Sequence, residues 1–466
     1  MTPPARPSIA ALMGDFVADF DFVPPPQLPL EEYEERLRKV RREAVVAGHD
    51  AIVVLTDMVG WFHTSNAYLR YMIDWMREGI LVIPTDNDKP LRLLTFFTES
   101  VILPPGGEPL LVDDIWQVGA IGREYADRPG SSSGRAIEAA AEMLVDMFGP
   151  RPQIGRIGDA KTLPLWAQLA ELMPSAKFVP ENGIIDRMQR VRTPREVAVF
   201  RAAAQMVSVA TQAAYHVTRP GVTDFEIYSA FTFAQLALGG ETGDGYQIGI
   251  NEYGTHCGKP YGRVVRPGDL INLYVSNVTF RGYTAQTARM IAVGDITRHQ
   301  EKVIAACVEG VKRAEKLIRP GALFRDVNNA AFEPYIENGM LTSPEARSMP
   351  YIWEGGADGK PRPVKRQYVP DADWEAQGRK LMHVYPAQYG PHNPNLGHSI
   401  GMAGSSNSFN VSSHNYDRLE EGMVFVLHTQ WVEPLVAGCN VGDLYVVTKD
   451  GFENLSRHTP LDLHRV

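Results

Sequence analysis

Apolar positions in the first part of this chain switch between helical spacing and short continuous runs. Residues 30–48 carry apolar side chains at helical spacing on a charged background and end at Gly48, which predicts an amphipathic helix. The apolar run at 51–55 predicts a strand, and residues 79–97 predict two strands around an Asp-Asn-Asp turn. A second helix is predicted over residues 131–149.

Two further stretches, 153–160 and 176–186, predict additional short strands. Strands that alternate with helices are typical of an α/β domain, which we place at residues 30–190. The Pro-rich residues 1–29 are predicted to form an N-terminal arm that precedes this domain.

Helix-start signals open the second part of the chain, residues 191–466. Thr193-Pro194-Arg195-Glu196 is a capping box with proline at the first helical position, and it predicts a long helix through about His216. Thr223-Asp224-Phe225-Glu226 is a second capping box and predicts a helix that stops at Gly239-Gly240.

The second part of the chain also repeats itself. Residues 198–221 and 298–321 are both helix-like runs that close in Arg-Pro-Gly, 100 residues apart, and a further helix follows each. This self-similarity predicts a duplicated half-domain. Chance recurrence is the alternative, since Arg-Pro-Gly also occurs at 266–268. An irregular insertion at about 340–396 interrupts the second copy, and an active-site lid, a subunit contact and a plain surface insertion are all open for it.

Composition narrows the class of protein. The net charge is −9 and the pI is near 5.8, which speaks against a nucleic-acid surface. No stretch approaches 18 consecutive apolar residues, and the first residues lack the pattern of a secretory signal. Three cysteines are too few for a disulfide framework. We therefore expect a cytoplasmic protein that contacts neither membranes nor nucleic acid.

Four short motifs occur in a specific order along the second part of the chain. They are GINEYGTHCGKP at 249–260, GDLINLYVSNVTFRGYTAQTAR at 268–289, LGHSIG at 396–401 and GMVFVLHTQWV at 422–432. Together they resemble the M24 or pita-bread family, which includes methionine aminopeptidase, prolidase, aminopeptidase P and creatinase. The resemblance implies an α/β N-terminal domain and an α+β pita-bread C-terminal domain with pseudo-twofold duplication.

The metal-dependent members of this family bind their ions with five ligands: two Asp, one His and two Glu. The resemblance places these positions, in chain order, on Tyr274, Gln286, His398, His428 and Gly442. A dinuclear site needs hard anionic oxygen ligands, and one ligand of five remains. We therefore predict no catalytic metal and no cofactor. The alternative is a single zinc held by His398, His428 and a third residue, either Asp443 or another histidine.

Creatinase, a metal-free member, resembles the chain closely around the first two motifs. The resemblance assigns the catalytic acid/base to His256. The chemistry agrees, because metal-free hydrolysis needs a group of near-neutral pKa that takes a proton from water and returns it to the leaving nitrogen. The neighbouring Cys257 points to the opposite side if this segment is extended, so we interpret it as a small buried hydrophobe.

Creatinase also holds the substrate carboxylate with an aromatic-x-Arg pair from the neighbouring subunit. Trp75-Met76-Arg77 is the best match, and Arg70 is the rival for the arginine. An arginine fork binds a carboxylate with two parallel hydrogen bonds. The resemblance thus implies a homodimer with its active site near the subunit interface.

The chain departs from creatinase where two glutamates grip the guanidinium of creatine, because Ala288 and His428 take their places. We therefore expect a neutral site in which Tyr274, Gln286, His398 and His428 contact the substrate. The predicted function is metal-independent hydrolysis of a C–N bond, of amide, ureido or amidine type, in a small carboxylate-bearing non-peptide. A non-catalytic pita-bread binding protein, an Xaa-Pro metallopeptidase and a metal-dependent lyase are the alternatives.

Overall fold

The computed structural model divides into two compact units. It describes residues 12–56, 67–95, 110–118, 132–241, 245–250, 258–341, 353–355, 361–363, 366–368, 382–384, 395–402, 408–433 and 437–466. The N-terminal unit is Pro26–Arg190, and the C-terminal unit is Val191–Val466 together with the segment that ends at Pro25.

The N-terminal unit is a six-stranded mixed sheet with helices, an α/β domain as predicted. Its strands are β1 (Ala51–Leu55), β2 (Ile80–Pro84), β3 (Arg92–Thr95), β4 (Asp114–Gln117), β5 (Gln153–Ile157) and β6 (Lys177–Pro180), in the order β4-β3-β2-β1-β5-β6. Its helices are α1 (Leu30–Val46), α2 (Ala67–Ile73), α3 (Ser132–Phe148), α4 (Leu163–Leu172) and α5 (Asn182–Gln189). The fully buried β1 pairs with β2 antiparallel and with β5 parallel.

One part of the N-terminal prediction is wrong. Residues 176–186 were expected to be strand, but the strand ends at Pro180 and helix α5 begins at Asn182. The apolar signal there is only the buried pair Ile184 and Ile185, and a run so short fits a helix as well as a strand.

Four helices of the C-terminal unit cover its sheet: α6 (Pro194–Val217), α7 (Asp224–Ala237), α8 (Arg298–Glu315) and α9 (Phe324–Glu337). Both predicted capping boxes are confirmed. The Thr193 hydroxyl accepts from the Glu196 amide at 3.2 Å, and the Glu196 carboxylate accepts from the Thr193 amide at 3.0 Å. Thr223 and Glu226 form the same reciprocal pair at the start of α7.

The C-terminal sheet joins strands from both copies of the repeat. Its strands are β7 (Gly245–Ile250), β8 (Leu270–Phe280), β9 (Tyr283–Ala292), β14 (Asn395–Ser399), β15 (Asn410–Ser412), β16 (Val424–Glu433) and β17 (Ala437–Val447), with β18 (Phe452–Asn454) and β19 (His464–Arg465) at its margins. The order is β15-β14-β16-β17-β9-β8-β7, so the two copies meet where β17 lies beside β9.

The hydrogen bonds of the two Arg-Pro-Gly turns support the predicted duplication. The amide of Gly221 donates to the carbonyl of Val265 at 2.9 Å, and the amide of Gly321 donates to the carbonyl of Leu419 at 2.8 Å. Both glycines have positive φ, at 92° and 84°. Equivalent turns therefore make equivalent contacts with the segments that precede β8 and β16, as the predicted duplication requires.

The chain segments outside these elements are described only in part. Within the insertion, four short strands are described: β10 (Trp353–Gly355), β11 (Pro361–Pro363), β12 (Arg366–Tyr368) and β13 (Met382–Val384). The N-terminal arm contacts the C-terminal unit, because the Asp19 amide donates to Gln212 at 3.0 Å and Phe20 stacks on His458. Of the helices in the described ranges, none has the length and apolar character needed to cross a membrane.

Candidate functional site

One row of residues crosses the centre of the C-terminal sheet. Across β16, β17, β9 and β8, the row consists of His428, Gly442, Ala288 and Tyr274. Directly paired residues of antiparallel strands face the same side of a sheet. His428 and Tyr274 therefore share one side, which we call the inner face, and two small residues separate them.

Two further predicted residues lie on the inner face beside this row. Gln286 precedes Ala288 by two positions, and its amide donates to the hydroxyl of Tyr274 at 3.3 Å. His398 on β14 pairs with Val426, two positions before His428, and the two imidazole centroids are 5.6 Å apart.

Four of the six predicted substrate contacts are thus gathered in one place, in two pairs. Tyr274 and Gln286 form the first half-pocket, on β8 and β9. His398 and His428 form the second half-pocket, on β14 and β16. The rings of Tyr274 and His428 meet edge-on with centroids 6.5 Å apart, so the half-pockets adjoin.

The protonation of His398 follows from its surroundings. Its Nδ1 lies 2.8 Å from the carbonyl oxygen of Ser399, an acceptor, so Nδ1 carries a proton and donates it. Burial lowers the pKa of His398 below its ordinary value of 6.5, and the hydrogen bond to Ser399 opposes that shift only in part. At neutral pH the imidazole is therefore uncharged, and its Nε2 is a hydrogen-bond acceptor.

We expect the stability of the protein to fall on acidification, in part through His398. Below its ordinary pKa of 6.5 the unfolded chain binds a proton at this site more readily than the folded chain, so the free energy of unfolding falls until the lowered pKa is passed. Urea unfolding between about pH 8 and about pH 5 measures the slope of the free energy of unfolding against pH. In His398→Asn the slope should be smaller; the same slope in both proteins would contradict this account.

A second row of the inner face carries three carboxamides that the sequence analysis did not identify. Gln430 pairs with Asn440, and the Asn272 amide lies 3.5 Å from the carbonyl oxygen of Asn440. All three side chains are buried. Each of the three lies two residues along its strand from a member of the first row and so faces the same side of the sheet. This spacing could have identified them once the strand pairing was known.

The opposite side of the sheet, which we call the outer face, packs against helices α8 and α9. Its apolar side chains on β16 and β17 belong to the hydrophobic core with those helices; they include Phe425, Leu427, Val441 and Tyr445. Odd-numbered positions of these strands thus build this core, and the even-numbered positions lie on the inner face.

Asp443 lies on the outer face, so the single-zinc alternative that uses it is wrong. One carboxylate oxygen accepts from Arg289, and the other accepts from the Asn454 amide at 2.8 Å. Asp443 is the residue after Gly442 on β17, so its side chain points to the side of the sheet opposite His398 and His428. Asp443 cannot therefore complete a metal site with these two histidines.

Gly442, at the position of the fifth family ligand, has no room for a side chain. A Cβ there would overlap the Cβ of His428 and lie 2.6 Å from the carbonyl oxygen of Leu427. Any side chain at 442, a glutamate included, is therefore sterically incompatible with this arrangement of β16 and β17.

The donor set of the inner face does not fit a dinuclear metal centre. It offers a phenol, a carboxamide and two imidazoles, and divalent ions that share a bridging water need carboxylates. Across the described ranges, no group of three or more His, Cys, Asp or Glu side chains is placed to hold a metal ion. The described residues of the inner face therefore do not match the ligand set of the metal-dependent members.

His256 and Cys257 lie outside the described residues, so the assignment of His256 as acid/base stays a prediction. The residues of the predicted substrate clamp belong to the N-terminal unit. Trp75 is buried there, and its indole donates to the carbonyl of Glu78 at 3.1 Å. Arg77 is partly exposed, whereas Arg70 is buried with its guanidinium 3.8 Å from a carboxylate oxygen of Asp74.

The chain is similar in sequence to one protein family and to several known proteins. The family model described as Metallopeptidase family M24 matches residues 198–449. An uncharacterized hydrolase/peptidase of Sinorhizobium fredii is 29% identical over 332 residues, which are 68% of this chain and 79% of that protein. The Xaa-Pro dipeptidase of Lactobacillus helveticus is 24% identical over 295 residues, 62% of this chain and 66% of the relative.

The fold is also similar to solved structures. The Xaa-Pro dipeptidase from Bacillus anthracis superposes with a TM-score of 0.66 at 18% identity, and the match covers 93% of this chain and 100% of the other. At that identity the likeness concerns the fold alone.

Proposed function

We propose a function from one premise: the chain belongs to metallopeptidase family M24. Its broad activity is accordingly that of a hydrolase. Within this family, we propose that the chain hydrolyses a C–N bond of a small non-peptide without a catalytic metal. The observation that supports this proposal is the donor set of the inner face, where phenol, carboxamide and imidazole replace the carboxylates that the metal-dependent members carry.

In the proposed reaction His256 acts as the general acid/base. It removes a proton from water as the water oxygen forms a bond to the carbon of an amide, ureido or amidine group. It then returns that proton to the nitrogen as the C–N bond breaks. One product is an amine, and the other is a carboxylic acid from an amide, a carbamic acid from a ureido group or an amide from an amidine. Histidine can perform both transfers because its ordinary pKa is near neutrality.

The two half-pockets contribute hydrogen bonds to this reaction. The hydroxyl of Tyr274 accepts from Gln286 and can donate to a substrate oxygen, and neutral His398 can accept a substrate N–H at Nε2. His428, in the second half-pocket, is the residue whose ring meets Tyr274 of the first half-pocket. These groups suit an uncharged amide or ureide.

The same donor set disfavours a cationic group. A guanidinium transferred from water into a site without carboxylate partners loses its hydration with little compensation. Ala288 and His428 stand where creatinase grips that cation, so we propose that creatine is not the substrate. A carboxylate elsewhere on the substrate would bind Arg77, whose partial exposure favours it over the buried Arg70.

Three further properties belong to the proposal. The family resemblance supports a homodimer, in which the partner subunit supplies the Trp75–Arg77 clamp. It also supports a cytoplasmic location. Nucleic acid and membranes are not among the proposed partners.

A metal analysis combined with a substrate panel tests the proposal. We expect purified protein to contain far less than one iron, zinc, manganese or cobalt ion per chain, and chelators to leave its activity unchanged. The panel contains N-carbamoyl amino acids, acyl amides, a cyclic amidine acid, creatine and Xaa-Pro dipeptides, and we expect turnover in the ureido or amide group.

Other outcomes would identify the alternatives. Stoichiometric metal with activity that chelators abolish would overturn the metal-free reaction, and cleavage of Xaa-Pro dipeptides would identify a peptidase. Formation of an alkene product with loss of a leaving group would identify a lyase. Binding of a panel member without turnover would favour a non-catalytic binding protein.

A further inference from the structure

The two half-pockets are supplied by different copies of the repeat, and the backbone ladder that joins the copies is short. Strands β9 and β17 lie side by side at the centre of the sheet, but in the described chain their ladder has a single residue pair, Ala288 with Gly442. By contrast, β16 and β17 pair at ten successive positions, Val424↔Val446 through Glu433↔Ala437. We call the β9–β17 contact the seam.

Arg289 bonds the seam together from the outer face. Its Nη1 donates to the carbonyl oxygen of Ala288 at 2.9 Å and to that of Gly442 at 2.7 Å. Its Nη2 donates to the carbonyl oxygen of Thr459 at 2.7 Å and to the carboxylate of Asp443. One guanidinium therefore binds both members of the only ladder pair.

The surroundings of Arg289 require an arginine. The side chain is 1% exposed, so its charge must be balanced within the protein, and Asp443 provides the balancing carboxylate. Four acceptors around one planar group match the fork of donors that a guanidinium presents. A lysine ammonium is a point charge with three donors, and it cannot reach both seam carbonyls and Thr459 in the same geometry.

We propose that Arg289 is a positioning residue that sets the distance between the two half-pockets. Ala288 and Gly442 are the residues that separate Tyr274 from His428 in the first row, so a change in their spacing moves these two side chains relative to each other. Arg289 itself faces away from the pocket. The inference rests on the proposed function, which places substrate between the half-pockets.

The experiment compares Arg289→Lys and Arg289→Ala with a matched control, Arg201→Lys. Arg201 also forms a two-bond ion pair, with Glu453 at 2.8 Å through both oxygens, but it lies on helix α6 and its partner lies on β18, not on β9 or β17. The first measurement is hydrogen exchange by mass spectrometry without any substrate. We expect peptides covering 283–292 and 437–447 to exchange about tenfold faster in both Arg289 variants, with α8 and α9 unchanged.

The second measurement uses the best substrate of the panel. A misplacement on the order of 1 Å costs about 100-fold in rate, so we expect kcat to fall by about that factor in Arg289→Lys while KM changes little. Millimolar guanidinium should restore part of the kcat of Arg289→Ala, and methylammonium should not. The Arg201→Lys control should retain wild-type exchange at the seam and wild-type kcat.

Each outcome decides the proposal. Uniformly faster exchange over the whole C-terminal unit would assign Arg289 a general structural role, and an unchanged kcat in Arg289→Lys would overturn positioning. If neither Arg289 variant folds, the same measurements are made on Asp443→Asn. This substitution keeps the side-chain size and removes the charge that pairs with Arg289. If the wild type hydrolyses no panel member, the proposed function fails, and the exchange measurement alone decides the role of the seam.

Discussion

Replacement of His256 by alanine is expected to slow substrate hydrolysis by about 10²–10⁴-fold, the usual contribution of a positioned general acid/base. The loss should appear in kcat, because proton transfer occurs in the chemical step, with the folded structure and substrate affinity largely kept. Steady-state kinetics on the best panel substrate measures it, with thermal unfolding of both proteins to verify folding.

Cys257→Ser provides the control for this prediction, because it changes the adjacent residue and keeps its size. If Cys257 is only a small hydrophobe, its replacement leaves turnover close to that of the wild type. If the two residues act as a Cys–His pair, Cys257→Ser is as inactive as His256→Ala. Full activity of His256→Ala would falsify the assignment of the acid/base.

Gly397→Ala is expected to prevent normal folding of the C-terminal unit. A Cβ at this position would overlap the carbonyl oxygen of Val426 and lie 2.8 Å from its carbonyl carbon and 3.2 Å from the Cα of Leu427. All three atoms belong to the backbone of β16, so no side chain can rotate to make room. Strand β14 must move away from β16, and we expect a loss of more than about 3 kcal/mol in the free energy of unfolding.

Urea unfolding of soluble protein measures this loss, and the soluble yield serves if the variant does not accumulate. Gly451→Ala is the matched control, since nothing lies within 4 Å of a Cβ at Gly451. The control should stay within about 0.5 kcal/mol of the wild type. An unchanged urea midpoint in Gly397→Ala would mean that β14 and β16 are less closely packed than described.

Local signals in the sequence were sufficient for much of the fold. Thr193 and Thr223 predict the starts of α6 and α7, because the hydrogen bonds of a capping box join residues that are close together in sequence. Helix α5 was predicted to be a strand because two adjacent isoleucines show neither helical nor strand periodicity. Helices α2 and α4 were not predicted at all, since tertiary packing, rather than a cap or a long periodic face, defines them.

The candidate site was predictable to the extent that motifs fix positions along a strand. Tyr274, Gln286, His398 and His428 were identified in that way, and the structure brings them together. Asn272 and Gln430 were missed because their relation to the site depends on which strands pair and in what register, a long-range property. Asp443 was proposed as a metal ligand for the same reason. It is adjacent to Gly442 in sequence, but neighbouring residues of a strand face opposite sides of the sheet.

The separation of even-numbered from odd-numbered positions on β16 and β17 has a consequence for molecular evolution. Side chains that pack the helices and side chains of the proposed site alternate along the same strands, so a point mutation on the inner face can leave the packing of the helices unchanged. His428 can replace a glutamate without any change in the packing of Leu427 against its core. A lineage can thus exchange one reaction for another by mutating alternate codons, while selection for folding acts on the codons between them.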